Sequence, residues 1–182
     1  MDYRVVLQGE KLKLTLDRLC HQIIENHGDF QDSCLIGVQV RGVKFADRLH
    51  QNLLRILGIP KIQYGKLDVT FYRDDFRRRE SPLLASSTEM DFLVEGKRVL
   101  LIDDVLYTGR TIRAALDALQ HYGRPKNVEL VSWVDRRFNR HLPIQADYIG
   151  CTVDALEEAY VKVEWQEEFM QDRVLFFPKN LS

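Results

Sequence analysis

The sequence predicts an α/β fold built on a parallel sheet, and two observations carry that prediction. Short runs rich in branched apolar residues alternate with stretches whose apolar residues recur at helical spacing, as far as about residue 134. Helices that cross between such runs join neighbouring strands as right-handed parallel units. The 182 residues are long enough to bury a core, so we expect a single domain over 1–182.

The first half of the chain is predicted to alternate helix and strand. Residues 10–29 carry leucine and isoleucine at helical spacing, and Gly28 is a suitable stop. Residues 34–40, CLIGVQV, form a short apolar run typical of a buried strand. Residues 43–58 have an apolar helical face that ends at a glycine, and residues 66–74, KLDVTFYRD, alternate like a strand.

The second half continues the pattern after a loop predicted over residues 76–90, where charge, proline and serine mix without a period. A strand over 98–103, a helix over 111–123 and a strand over 128–134 follow. Beyond residue 135 only short apolar pieces remain, at 146–153, 160–165 and 173–178.

Composition and charge exclude several classes of protein. The formal net charge of −1 gives no global basic field for nucleic acid, and no apolar run approaches the length of a membrane span. Met1–Glu10 has no apolar core of a signal peptide. Cys20, Cys34 and Cys151 are odd in number and widely spaced, which favours buried free thiols in a reducing cytoplasm over a disulfide framework or a zinc site.

Two adjacent acids, Asp103 and Asp104, end the central apolar strand, where ligands of open parallel sheets bind. Thr108–Thr111 then opens a helix whose free amides suit a phosphate, and Gly109 lets the backbone approach it. The two carboxylates can accept hydrogen bonds from a ribose diol and balance a divalent cation held on the ligand. The pattern predicts a ribose 5-phosphate site, and the alternative is a pair of aspartates that merely cap a helix.

The segment VLLIDDVLYTGRT, residues 99–111, resembles the phosphoribosyl-pyrophosphate (PRPP) motif of the type I phosphoribosyltransferases. QVRG at 39–42, TFYRDD at 70–75, VDR at 134–136 and LPIQADYIG at 142–150 follow in the order and spacing of the PyrR family. Members of that family are bacterial attenuators of pyrimidine operons that are also uracil phosphoribosyltransferases. The resemblance implies conversion of uracil and PRPP to UMP and pyrophosphate, with Mg²⁺ carried on PRPP and no metal bound directly by the protein.

The resemblance also implies roles for individual residues. Asp103 and Asp104 would hold the ribose hydroxyls, and together with Arg41 they are the expected catalytic residues. Val40 and Arg41 would form the pyrophosphate loop, which in the family often has a cis peptide before the arginine. The expected substrate contacts are Val40, Arg41, Asp103, Asp104, Val105, Leu106, Tyr107, Thr108, Gly109, Arg110 and Thr111.

A mobile β-loop lid is implied over about residues 74–91. Lids of this kind exclude water and complete a site when they close. Arg73, Arg77, Arg78 and Arg79 could reach the pyrophosphate from this segment. For the last three, a solvated charged loop is the alternative.

A small hood subdomain over about residues 135–182 is implied to cover the base, with Arg136 and Tyr148 near uracil. Tyr148 could equally be a core residue. Related hypoxanthine–guanine enzymes have an aspartate at the position of Tyr107, where it is thought to handle a purine ring proton. Tyrosine has a reference pKa of about 10 and offers no comparable base, which favours a pyrimidine substrate.

The alternative function is a UMP-responsive RNA-binding attenuator with little or no catalytic role. Arg18 and His21, one helical turn apart, match RNA-binding positions of the family, although an ordinary exposed helix face would look the same. Arg137 and Arg140 could add a small basic patch, whereas Glu157 would repel phosphate. The family also suggests a homodimer or a larger homo-oligomer.

Overall fold

A computed structural model of the chain describes residues 3–74, 87–155 and 159–178. A five-stranded sheet in the order β3-β2-β4-β5-β6 is parallel throughout, and a second sheet has the order β1-β8-β7. In chain order the elements are β1 (Arg4–Gln8), α1 (Gly9–His27), β2 (Ser33–Val38), α2 (Arg41–Leu57), β3 (Gln63–Leu67), β4 (Arg98–Leu106), α3 (Arg110–Leu119), β5 (Asn127–Arg137), β6 (Tyr148–Asp154), β7 (Tyr160–Glu164) and β8 (Arg173–Phe177), with 3₁₀ turns at Thr70–Tyr72 and Gln120–Tyr122.

Helices cover both faces of the five-stranded sheet, which is the arrangement that an all-parallel sheet requires. On one face α1 and α2 bury residues such as Leu19, Phe45 and Leu49 in a core shared with β4, β5 and β6. On the other face α3 buries Ile112 and Ala115 against β2, β4 and residues after β3. The predicted α/β fold with a parallel sheet and flanking helices is therefore confirmed.

The second sheet is antiparallel and draws strands from both ends of the chain. β8 lies in the middle, pairs with β1 on one side and β7 on the other, and holds Val174 fully buried. The strand β1 was not predicted from the sequence. β6, within the segment expected to form the hood, belongs instead to the main sheet as its fifth strand.

Several predicted strands have different bounds in the structure, and two of these differences lie near the candidate site. The strand expected over 66–74 was wrong, because β3 ends at Leu67 and a turn follows. Oδ1 of Asp68 accepts hydrogen bonds from the Thr70 amide at 2.9 Å and from its hydroxyl at 2.6 Å, which stops the strand. β4 runs on to Leu106 rather than ending at Asp103, because Val105 and Leu106 still pair with β5.

Among residues 3–74, 87–155 and 159–178, we find no helix whose length and apolar character would carry it across a bilayer.

Candidate active site

The two acids lie inside the central strand, at its carboxyl-terminal part. Asp103 is 7% exposed and Asp104 is 6% exposed, and a hydrogen bond between their side chains brings the two carboxyl groups together. Oδ1 of Asp103 accepts a hydrogen bond from the Asp104 amide at 3.0 Å. Asp103 lines a pocket at the start of α3, and Asp104 interacts electrostatically with Arg41 at the start of α2.

Both carboxyl groups bind protons more tightly than an ordinary aspartate. Burial raises the pKa of Asp103 well above its usual range, and the neighbouring Asp104 charge raises it further. Burial also raises the pKa of Asp104, while the positive charge of Arg41 opposes that rise. Two adjacent buried acids are costly to a folded chain, and such costs concentrate at functional sites.

A pocket of about 150 Å³ opens where β4 turns into α3. Gly109 has a φ of +88°, a left-handed conformation that favours glycine, and the first turn of α3 follows directly. The hydroxyl of Thr108 accepts a hydrogen bond from the Arg110 amide at 3.4 Å. The pocket is lined by Arg73, Asp74, Asp103, Val105, Leu106, Tyr107, Thr108, Gly109, Arg110, Thr111 and Ile112.

The beginning of the expected lid lies against this pocket. Arg73 donates a hydrogen bond to the Thr111 hydroxyl at 3.2 Å, and Asp74 pairs with Arg110 at 3.4 Å. Arg73 is therefore beside the predicted phosphate loop, and its contact with pyrophosphate stays a prediction. Most of the lid prediction, including Arg77, Arg78 and Arg79, concerns residues 75–86, which lie outside the described residues.

The predicted pyrophosphate loop joins β2 to α2. The Gln39–Val40 peptide is cis, one bond earlier than the peptide that directly precedes Arg41. Arg41 is the first residue of α2, and Val40 is 62% exposed. A hydrogen bond with Tyr160 of β7 raises the pKa of Arg41, and the Asp104 carboxylate contributes to the same direction.

Gly42 is a site residue that sequence reasoning missed. A Cβ on Gly42 would lie 2.8 Å from the Ile102 carbonyl oxygen and 2.9 Å from Oδ1 of Asp103. The first turn of α2 can therefore approach the acid strand this closely only with glycine at this position. The glycine was visible in the segment QVRG at 39–42, but its contact with β4 could not be predicted from the sequence.

Tyr107 closes the pocket on the side of β5. The guanidinium of Arg136 lies over its ring, 3.8 Å from the ring centroid, and Arg136 itself is only 6% exposed. Arg140 donates to the Tyr107 carbonyl oxygen and pairs with Asp135 at 2.6 Å. The predicted base residue Arg136 thus lies next to the pocket.

Tyr148 is placed in the core, which corrects the prediction of a base contact. It is 6% exposed at the start of β6, and its hydroxyl donates to Oε2 of Glu129 at 2.8 Å. Asn26 of α1 donates to the same hydroxyl at 2.9 Å. Both capacities of the hydroxyl are used by the protein, so the core alternative holds.

Three of the four arginine and histidine residues predicted to contact RNA have protein partners. Arg18 donates to the carbonyl oxygens of Ile149 and Gly150 at 3.0 and 2.8 Å. Arg137 forms two hydrogen bonds with Asp154, and Arg140 is engaged as described above. His21 is exposed on α1. Of these residues, Arg137 and Arg140 are paired with carboxylates, and Arg18 is held by carbonyl oxygens.

Comparisons with known proteins agree with this geometry. The family model of the phosphoribosyl transferase domain matches residues 2–168. The "Bifunctional protein PyrR" of Elusimicrobium minutum is 41% identical over 178 residues, covering 97% of this chain and 98% of the relative. The corresponding protein of Enterococcus faecalis is 41% identical over 180 residues, covering 99% of each chain. The chain belongs to the PyrR family.

Solved structures show that the PyrR family member described here has the type I phosphoribosyltransferase fold. The hypoxanthine phosphoribosyltransferase of Trypanosoma cruzi aligns with a TM-score of 0.70 and 17% identity over 97% of both chains. A hypoxanthine phosphoribosyltransferase of Staphylococcus aureus aligns with a TM-score of 0.69 and 19% identity, covering 97% of this chain and 93% of that one. At such low identity the likeness concerns the fold alone.

Proposed function

We propose that this protein transfers the ribosyl phosphate of PRPP to uracil, giving UMP and pyrophosphate. The observation that carries the proposal is the pocket at the β4–α3 turn, where a buried acid faces the first turn of a helix. Membership of the PyrR family supports phosphoribosyl transfer. The name "Bifunctional protein PyrR", which its relatives carry, is consistent with an enzymatic activity.

The arrangement suits a ribose 5-phosphate in one orientation. The amides and hydroxyls of Thr108–Thr111 would bind the 5-phosphate, favoured by the positive end of the α3 dipole. Asp103 and Asp104 would accept hydrogen bonds from the ribose diol. Arg41, at the start of α2, would face the pyrophosphate from the other side of the central strand.

In the proposed reaction N1 of uracil forms a bond with C1 of the ribose, the bond from C1 to pyrophosphate breaks, and the N1 proton is lost. Positive charge develops on the sugar and negative charge on the leaving group. Arg41 would stabilise the leaving pyrophosphate, and the two acids would hold the ribose so that its reacting carbon stays in place.

The residues present fit Mg²⁺ carried on PRPP. The described residues contain no group of three or more histidine, cysteine, aspartate or glutamate side chains able to hold a metal ion. Mg²⁺ commonly uses one or two carboxylates together with substrate phosphates and water, and Asp103 and Asp104 can provide that number. When bound, the ion would neutralise charge on the leaving pyrophosphate.

The choice of uracil rests on Tyr107. Its ring is covered by the Arg136 guanidinium at 3.8 Å, so the side of the pocket nearest β5 presents an aromatic residue and no free carboxylate. A purine would meet no general base at this position, whereas uracil can pair with backbone donors and acceptors. The test is an assay with PRPP, Mg²⁺ and each nucleobase in turn, following pyrophosphate release. Uracil is expected to be the preferred base, and preference for hypoxanthine or guanine would overturn the assignment.

RNA attenuation is the second candidate, and membership of the PyrR family favours it. The pairing of Arg18, Arg137 and Arg140 with protein groups argues for weak binding, because phosphate contacts need available cations. A titration with pyrimidine leader RNA at several salt concentrations, with and without UMP, tests it. Tight, UMP-dependent binding would restore the regulator. A homo-oligomer and a cytoplasmic location stay predictions.

A further inference from the structure

Arg140 bridges two parts of the protein that are distant in sequence. Its Nη2 donates to Oδ1 of Asp135 at 2.6 Å, and its Nη1 donates to the carbonyl oxygen of Tyr107. The side chains of Arg140 and Asp135 are only 24% and 11% exposed. A guanidinium held in this way by a carboxylate and a carbonyl has little freedom to contact an external ligand.

The residues after Arg140 bind the carbonyl group of Thr108, which follows Tyr107 in the turn between β4 and α3. The amides of His141 and Leu142 both donate to the carbonyl oxygen of Thr108, at 3.0 and 3.3 Å. Ile144 lies against Gly109, since a Cβ on that glycine would be 3.3 Å from it. Residues 140–144 therefore form a support behind the turn that leads into α3.

Strand β5 also holds the side chain of Tyr107 in place. Arg136 covers its ring at 3.8 Å, and Asp135 pairs with Leu106 across the β4–β5 ladder. The carbonyl, the ring and the preceding residue of Tyr107 are thus all held by β5 or by the segment that follows it. A shift of the Arg140 guanidinium would move the Tyr107 carbonyl and, with it, the amides of the following loop.

We propose that Arg140 is a positioning residue that fixes the Tyr107 carbonyl and so directs the amides of Thr108–Thr111 at a sugar phosphate. This inference rests on the proposed function, because it assigns those amides to phosphate binding. It gives Arg140 an internal role in place of the polyanion contact that its charge alone would predict. The role needs a planar group with two separate donors, which lysine lacks.

The experiment compares Arg140→Lys and Arg140→Gln with matched variants of Arg55, an exposed arginine paired with Asp17 at 3.0 Å on the far part of α2. Isothermal titration with ribose 5-phosphate and with UMP measures affinity, and thermal unfolding of the same samples measures stability. Both Arg140 variants are expected to bind each ligand about tenfold more weakly, the effect of losing one hydrogen bond to a charged group. Arg55→Lys and Arg55→Gln are expected to bind like the wild type.

The outcomes separate this inference from the function on which it rests. Wild-type affinity in Arg140→Lys, with a loss only in Arg140→Gln, would show that charge suffices and would overturn the positioning role. A lower unfolding temperature with unchanged ligand affinity in both variants would reveal a purely structural residue and would also overturn it. A wild-type chain that binds neither ligand would overturn the proposed function, and the inference with it. Should neither Arg140 variant fold, Asp135→Asn is titrated with the same two ligands. Weaker binding of both would support the positioning role, and wild-type affinity would overturn it.

Discussion

Gly42→Ala adds one methyl group at the closest approach between α2 and the acid strand. The new Cβ would lie 2.8 Å from the Ile102 carbonyl oxygen, 2.9 Å from Oδ1 of Asp103 and 3.0 Å from its Cα. Ordinary van der Waals contact begins near 3.4 Å, so α2 and β4 must separate by about half an ångström. Two of the three obstructing atoms belong to the backbone, which cannot rotate away.

The expected result is a loss of turnover together with a loss of stability. Overpacking of this kind costs about 1–3 kcal/mol. A displacement of about 1 Å can cost a factor of about 100 in rate, so half of that displacement at Asp103 is expected to lower kcat about tenfold. Steady-state assays of pyrophosphate release with PRPP and uracil measure kcat, and denaturant unfolding measures stability.

Gly65→Ala is the matched control. Its Cβ would meet the sulfur of Met90 at 2.4 Å, but a methionine side chain is flexible and can move aside, and the nearest backbone atom is 3.2 Å away. We expect turnover near that of the wild type. Unchanged turnover in Gly42→Ala, with the protein folded, would refute the reasoning that Asp103 must keep its position against α2.

Three further predictions concern charge. Asp103→Asn is expected to lower turnover yet to stabilise the unliganded protein at neutral pH. Burial raises the pKa of Asp103 in the folded protein. The stability of the wild type therefore falls as pH rises from the ordinary carboxyl range through the raised pKa, by at most about 1.4 kcal/mol per pH unit. Urea unfolding across pH checks this, and a less stable variant at pH 7 would contradict it. Glu129→Gln is expected to cost about 1–2 kcal/mol at pH 7, because solvent screens this partly exposed carboxylate, and to flatten the acid limb of the unfolding profile. Burial alone would raise the pKa of Glu129, but hydrogen bonds from Tyr148, His27 and Arg98 outweigh it and lower that pKa to about 2, so its stabilisation is present above pH 4.5 and disappears as pH falls towards 2. Arg41→Ala is expected to impair the use of PRPP far more than binding of uracil, measured as separate KM values, and equal effects on both would argue against its place at the pyrophosphate.

The sequence predicted the part of the site that is local in the chain. Asp103, Asp104 and Thr108–Thr111 lie within one strand, one turn and one helix start, and strand and helix geometry fix their relative positions. The same holds for Arg41, which begins α2 three residues after the end of β2. Local periodicity therefore predicted the parallel sheet and the place of the pocket between β4 and α3.

The features that sequence reasoning missed depend on contacts between distant segments. The need for glycine at position 42 arises from Ile102 and Asp103, about sixty residues later. Tyr148 could face either side of a strand, and only Asn26 and Glu129, supplied by α1 and β5, decide that it is buried. No pattern of residues near Tyr148 carries that information.

The pairing of charged residues could not be predicted from the sequence for a related reason. Formal charge indicates an available cation only where no acid lies beside it, and pairing is a property of the fold. Arg137 and Arg140 looked alike in the sequence, yet one forms an exposed pair with Asp154 and the other a largely buried bridge to Asp135. The energetic consequences differ accordingly, because an exposed pair contributes little and the loss of a buried partner leaves a charge without compensation.

A crystal structure of the complex with UMP tests the central claim most directly. The account predicts phosphate oxygens within about 3.2 Å of the amides of Thr108–Thr111 and both ribose hydroxyls on the carboxylates of Asp103 and Asp104. Nucleotide bound elsewhere on the protein, or an empty pocket between β4 and α3 at saturating UMP, would contradict it.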